Sequence, residues 1–218
     1  MNENRGERMN NHHPKEVTCA VCGSSSLQDV LLVSNSNSSF NSGFYSVPLA
    51  RNTLMYQIQE CPTCRYCAPD ITFADVKIKD IVKSGNYLQI ANNGEISALI
   101  RRYLQYSYCA EVLEDNKTAF FGYLTASWIC DDTNEMRLGK KCREKAIEFM
   151  IKCKNNGDYI WNHPGFFELM LADLYRRTAQ FEKGSKMIQV GLSKVVEPIL
   201  KSSLEFTSSR INRWDTLP

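Results

Sequence analysis

Four of the nine cysteines in this 218-residue chain fall into two Cys-x-x-Cys pairs, Cys19/Cys22 and Cys61/Cys64, with 38 residues between the pairs. Such a pair can close a tight turn that aims two thiolates at one ion. Two turns together supply the tetrahedral all-sulfur set that structural zinc prefers, with bonds of about 2.3 Å. The expected cofactor is therefore one structural zinc ion; rubredoxin-type iron uses similar sulfur geometry and stays open at this point. A thioredoxin-like redox pair is the rival chemistry, but that motif sits where a strand enters a helix, whereas Pro62 and the strand-like run before Cys61 fit a knuckle. Gly23, just after the first pair, can take the left-handed conformation such a turn often needs. The matching position after the second pair is Arg65, followed by Tyr66 and Cys67.

Cys64 and Cys67 form a third, overlapping Cys-x-x-Cys. Cys61 is preferred as the ligand because it ends the strand-like run directly and precedes proline, which leaves Cys67 as a spare thiol or a core residue. Cys109 and Cys130 fall in helical patterns, and Cys142 and Cys153 lie on an apolar stripe, so all four are expected to pack in the interior.

Little else in the chain points to catalysis, and the expectation is a protein that is not an enzyme. There are three histidines, and none of the Gly-rich phosphate loops, nucleophile elbows or His-Glu-x-x-His metalloprotease motifs is present. His12-His13 falls in a polar, Asn-rich run, residues 1–16, that is expected to be a disordered tail. Asp131-Asp132 and Asp158 have no evident partner and are expected to be solvated. Lys and Arg number 26 against 24 Asp and Glu, a balance that implies no polyanionic partner. Residues 1–70 carry five basic side chains (Arg5, Arg8, Lys15, Arg51, Arg65) against six acidic ones, which argues against a nucleic-acid-binding ribbon. A basic stripe of Lys140, Lys141, Arg143 and Lys145 is what keeps that alternative in view. No apolar run suggests a secretory leader or a membrane span, so a cytoplasmic location is expected. An odd and high cysteine count in a reducing compartment is explained by metal and core packing rather than by disulfides.

The elements that must position the cysteines divide the chain into an N-terminal tail (1–16), a zinc ribbon (17–72) and a helical domain (73–218). In the ribbon, Val30-Leu31-Leu32-Val33 reads as a strand and Ser34–Ser39 as a loop. Leu54, Tyr56 and Ile58 alternate with polar residues as a strand running into Cys61 would. So small a unit has no self-sufficient core, and the metal is expected to supply much of its stability. Beyond it, helices are expected near 73–84, 95–114, 117–131, 134–154, 164–178, 181–195 and 197–209. Ile96, Leu99, Ile100, Tyr103 and Leu104 follow amphipathic spacing, and Asn162-His163-Pro164 reads as a cap with proline at the first helical position. Ala119 to Ile129 is apolar on most sides, which predicts a helix buried between neighbours.

This arrangement resembles a bacterial family of unknown function that couples a zinc ribbon to tetratricopeptide-like helices. The resemblance is carried by Cys19-Ala20-Val21-Cys22-Gly23, by Tyr56-Gln57-Ile58-Gln59-Glu60-Cys61-Pro62-Thr63-Cys64, by Tyr123-Leu124-Thr125-Ala126-Ser127-Trp128 and by Leu171-Ala172-Asp173-Leu174-Tyr175-Arg176-Arg177. The family usually has glycine after its last ligand, so Arg65 and Cys67 are departures. The resemblance implies metal binding and a helical scaffold but brings no activity with it.

Within the chain itself, Ser127 aligns with Ala172 at a spacing of 45 positions, small residues where two helices of a repeat approach closely. The fold class is thus α+β, a small β ribbon followed by an all-α tetratricopeptide-like domain. Stacked helix pairs curve, and the first helix of each pair lines the inner surface. On that reasoning Tyr123, Trp128, Arg176 and Arg177 are expected to face a groove that holds a protein or peptide partner, with the ribbon loop Ser34–Gly43 as the alternative surface.

Overall fold

The computed structural model describes residues 12–31, 51, 53–158 and 162–218. Two antiparallel hairpins come first. β1 (His12–Thr18) pairs with β2 (Ser25–Leu31) in a register that sets Val17 opposite Ser26 and Thr18 opposite Ser25. A single helical turn, α1 (Leu54–Gln57), leads into the second hairpin, β3 (Gln59–Glu60) with β4 (Cys67–Ala68). β1 begins inside the stretch 1–16 that was expected to be a tail. Residues 13–16 are exposed, so this strand shows no apolar alternation by which it could be read. The strand expected from Leu54 is instead the turn α1, which buries Leu54 and Ile58, four residues apart, while Met55 faces solvent. Leu32, Val33 and the loop Ser34–Gly43 lie outside the described residues.

Helices follow in chain order: α2 (Ile78–Ile81), α3 (Gly85–Ala91), α4 (Ala98–Val112), α5 (Asn116–Asp132), α6 (Met136–Asn156), α7 (Phe166–Arg177), α8 (Phe181–Lys194) and α9 (Pro198–Asn212). The helix expected over 73–84 shrinks to α2, and α3 was not anticipated. Its N-cap is Ser84, whose hydroxyl accepts from Tyr87 N–H at 3.3 Å. α7 starts two residues later than Pro164 suggests, because Gly165 takes φ 87° as its N-cap. A Cβ at Gly165 would also stand 3.1 Å from the Gly191 carbonyl of α8. As expected, α5 is buried on most sides.

Most of these helices end alike. A residue in the left-handed region is followed by an N–H that reaches back five residues: Asp115 to Ala110 O, Glu135 to Cys130 O, Asp158 to Cys153 O, Gln180 to Tyr175 O and Asp215 to Arg210 O, at 2.8–3.0 Å. This closure satisfies carbonyls that the end of a helix leaves over. Two of these turns repeat each other at 45 positions, Thr133-Asn134-Glu135 and Thr178-Ala179-Gln180. Each threonine hydroxyl donates to the carbonyl four residues back, at 3.0 and 2.9 Å. The next helix then packs through a glycine: a Cβ at Gly139 would lie 3.7 Å from Ser127 O, and one at Gly184 would lie 3.3 Å from Ala172 O. The chain therefore carries two copies of one helical hairpin, α5/α6 and α7/α8.

The two copies are joined by buried charge. Asp131 at the end of α5 is clamped between Arg143 of α6 and Arg177 of α7, all three side chains no more than 4% exposed. Neighbouring Asp132 pairs with Arg51. The expectation of solvated carboxylates at Asp131-Asp132 is thus corrected, because sequence proximity could not reveal partners 12 and 46 positions away. Arg143 also leaves the basic stripe: it is an interior ion-pair partner, while Lys140 and Lys141 remain exposed.

The hairpins are not a free-standing unit. Val17, Cys19, Cys61, Tyr66 and Ile71 share a core with Ile78, Ile81, Tyr87 and Cys109 from α2, α3 and α4. Leu54, Ile58 and Cys67 share another with Ile100, Ala126, Cys130 and Cys142. Helical packing therefore supplies part of the support that the sequence assigned to the metal.

Candidate metal centre

Each hairpin closes on one Cys-x-x-Cys pair, and the two closures are built alike. In the first, Cys19 N–H donates to Ser24 O and Gly23 N–H to Cys19 O; in the second, Cys61 N–H donates to Tyr66 O and Arg65 N–H to Cys61 O, all at 2.9 Å. Both turns need a left-handed residue at the same point, Gly23 (φ 76°) and Arg65 (φ 65°). For arginine this conformation costs about 1 kcal/mol. The surroundings hold it there. The Arg65 carbonyl accepts from Tyr87 Oη at 2.7 Å, from Gln105 Nε2 at 2.8 Å and from Cys67 Sγ at 3.4 Å. Its guanidinium pairs with Glu60 at 2.6 Å and donates to Ala91 O at 3.2 Å. The departure from glycine thus leaves the knuckle geometry intact.

The turns bring the Sγ atoms of Cys19, Cys22, Cys61 and Cys64 within 4.8 Å of one another, and no described cysteine is in a disulfide. Cys19 and Cys64 approach to 3.7 Å and Cys22 and Cys61 to 3.6 Å. A regular tetrahedron with metal–sulfur bonds of 2.3 Å has sulfur–sulfur edges of about 3.8 Å, so the donor set fits one tetrahedral ion. The separations are too long for a disulfide, whose sulfurs stand about 2 Å apart. Cys19 and Cys61 are buried, Cys64 is half-buried and Cys22 is exposed.

The protons on these thiols are unequally held. Burial opposes ionisation of Cys61, but the Ser24 hydroxyl, the N–H groups of Cys64 and Thr63 and the Cys22 thiol outweigh it and bring the group down to about 6. Cys22 also moves below the ordinary thiol range: burial resists, and the Ser24 hydroxyl and N–H prevail. Burial holds Cys19 and Cys64 above it. Ser24, which no spacing rule singles out, contacts Cys22 at 3.1 Å and Cys61 at 3.4 Å.

Cys67 lies outside the cluster. It is fully buried, its thiol points to the Arg65 carbonyl, and burial pushes its pKa well up. Cys109, Cys130, Cys142 and Cys153 are likewise interior residues.

The four residues assigned to a partner groove need correction, because none of them lines an open surface. Tyr123 is buried, stacks on Phe149 at 5.8 Å and donates to Glu111 at 2.7 Å; Trp128 is buried in the same core. Arg176 is completely buried. It donates to Asp173 Oδ1 through Nε and Nη2 at 2.9 and 2.7 Å, and through Nη1 to the carbonyls of Asp215 and Leu217 at 2.8 Å. Arg177 is engaged with Asp131. A run such as Asp173-Leu174-Tyr175-Arg176-Arg177 looks solvated because what seals it lies elsewhere in the chain: Asp131 for Arg177, and the carbonyls of Asp215 and Leu217 for Arg176 beside its own Asp173.

Comparison with known protein families, with curated proteins and with solved structures finds no match to this chain. No helix among the described residues is long and apolar enough to cross a membrane.

Proposed function

We propose that this chain is a zinc-binding scaffold of the cytoplasm in which one zinc ion on Cys19, Cys22, Cys61 and Cys64 makes the two hairpins a zinc ribbon, and tetratricopeptide-like helices form a protein- or peptide-interaction module. The observation that carries the reading is the cluster of four sulfurs within 4.8 Å of one another, two of its separations being 3.7 and 3.6 Å. An ion bound there would offset two of the four thiolate charges and cross-link the hairpins. The chain's part is to present the sulfurs from two matched turns, to supply N–H and hydroxyl donors to them, and to bury Cys19 and Cys61 away from water. In small zinc domains such binding contributes apparent energies on the order of 10 kcal/mol to folding. The interaction role is supported by the duplicated helical hairpin, since stacked hairpins commonly serve as binding scaffolds, and by the absence of a catalytic motif in the sequence.

Elemental analysis of protein purified without added metal tests the metal assignment, with one zinc per chain expected. A fully folded, metal-free preparation would overturn it. A red preparation with iron in equal stoichiometry would replace zinc by a rubredoxin-type centre. Affinity capture of a defined protein from the native host, competed by an excess of the free chain, tests the interaction role.

A further inference from the structure

We infer, resting on the zinc reading above, that the Ser24 hydroxyl is what holds the exposed ligand Cys22 on the metal and blunts its sulfur toward electrophiles. The two knuckles are matched turn for turn, so their outer ligands, Cys22 and Cys64, can be compared directly. Cys64 is half-buried and packs against the core that the hairpins share with α2, α3 and α4. Cys22 is exposed. A thiolate in contact with solvent keeps its nucleophilic electron pairs within reach of protons and alkylating agents. The second knuckle covers its outer sulfur by packing, and the first has no such cover.

Ser24 stands where that cover is missing. It holds the position that Tyr66 holds in the second knuckle: Ser24 O accepts from Cys19 N–H at 2.9 Å, as Tyr66 O does from Cys61 N–H. Tyr66 sends its hydroxyl away from the sulfurs, to Phe73 O at 3.0 Å. Ser24 Oγ instead lies 3.1 Å from Cys22 Sγ and 3.4 Å from Cys61 Sγ. A coordinating thiolate has no proton, so in the metal-loaded site the hydroxyl must donate and the sulfur accept. With one proton to give, the hydroxyl serves the nearer sulfur, that of Cys22.

Two effects follow from a donor at that sulfur. The bond is charge-assisted, so it stabilises the thiolate that the metal requires. It also ties up electron density that would otherwise attack an electrophile. Partners of this kind, one bond removed from the metal, commonly contribute about 10–100-fold to its affinity.

The test compares the full chain as wild type, Ser24→Ala and Ser24→Thr, with zinc content measured first. Wild type without zinc overturns the metal reading and this inference with it; one zinc per chain leaves any later failure to this inference alone. Each protein is treated with iodoacetamide, in which sulfur forms a bond to carbon as iodide leaves, and the early products are mapped by peptide mass spectrometry. In Ser24→Ala, Cys22 should react several times faster while Cys64 keeps its wild-type rate, and competition with a chelator should show zinc held about tenfold more weakly. The sulfur-to-metal charge-transfer band of the cobalt-substituted protein should move to lower energy. Ser24→Thr, which keeps the hydroxyl, should restore all three. The inference fails if Cys22 of Ser24→Ala reacts at the wild-type rate, if all four ligands are accelerated alike, or if threonine restores nothing. Should the alanine variant not fold, threonine against valine, alike in shape and differing in the hydroxyl, decides by the same readouts.

Discussion

The two halves of this molecule each use one small motif twice but hold the copies together differently. In the two hairpins, six-residue turns, 19–24 and 61–66, share hydrogen bonds and a left-handed residue, and they gather four sulfur atoms at one point. In the helical part, two hairpins 45 positions apart share a turn and a glycine contact. Their cohesion is spread over a core running from Phe120 and Phe149 to Leu169, Ile188 and Leu204. A centre that concentrates cohesion can be undone by one atom. A distributed core yields in proportion to what is removed.

The largest effect should come from breaking the concentrated centre. Cys61→Ser should take zinc from one per chain to none and unfold the hairpins, and α2 and α3 should loosen with them because they share the ribbon core. Elemental analysis with hydrogen exchange checks this. Cys67→Ser, one turn away, should leave the zinc content unchanged.

Acid should do reversibly what that substitution does permanently. The folded-state pKa of Cys61 lies at about 6, below its ordinary 9.0. Its thiolate therefore contributes stability in full above pH 9, and the contribution is lost as pH falls through about 6. Zinc, which requires thiolates, should be released progressively as acid makes protons compete for the four sulfurs. A chromogenic chelator reads the release, and zinc held equally well across the whole acid titration would contradict an all-thiolate site.

In the helical half the largest single loss should come from Asp131→Asn, which leaves Arg143 and Arg177 buried without their counter-charge. Breaking a buried pair in this way costs about 3–5 kcal/mol. Urea denaturation should show the loss while zinc content stays at one per chain.

The smallest effects sharpen the comparison between turns. Gly23→Ala meets no atom within 4 Å but must hold φ 76°, so it should cost about 1 kcal/mol through backbone strain alone. Ala179→Gly relieves the same strain at φ 62° and should gain up to about 1 kcal/mol. Opposite shifts of the thermal midpoint are expected; shifts of the same sign would show that the left-handed residue is not what limits these turns.

How far the sequence discloses this structure depends on how local the controlling interaction is. The four cysteines were legible because their spacing within each pair already dictates a knuckle. The long helices α4 to α9 were legible because apolar periodicity sustained over three or more turns has one reading. α1 was misread because Leu54, Tyr56 and Ile58 satisfy alternation while Leu54 and Ile58 equally satisfy one helical turn, and so short a run cannot separate the two. α3 carries its own signal in Ser84, obscured by Gly85 at the first helical position. The arginines are governed by distant partners. Whether Arg176 is solvated or sealed is decided by Asp215 and Leu217, about 40 positions on, and Arg65 and Arg102 meet at Glu60 only once the hairpins have packed on α4.

The Asp131 clamp bears on how the helical array comes apart. Repeat arrays commonly fray from one end, because each unit touches only its neighbour through apolar contacts that can part gradually. Here the boundary between the two hairpins is crossed by a buried ion pair, Asp131 of α5 with Arg177 of α7, and Asp131 is held at the same time by Arg143 of α6, so parting them would break a sealed charge pair at a single step. The seam that would otherwise be the natural breaking point thus makes α5, α6 and α7 a single cooperative unit, which opens entire or stays closed.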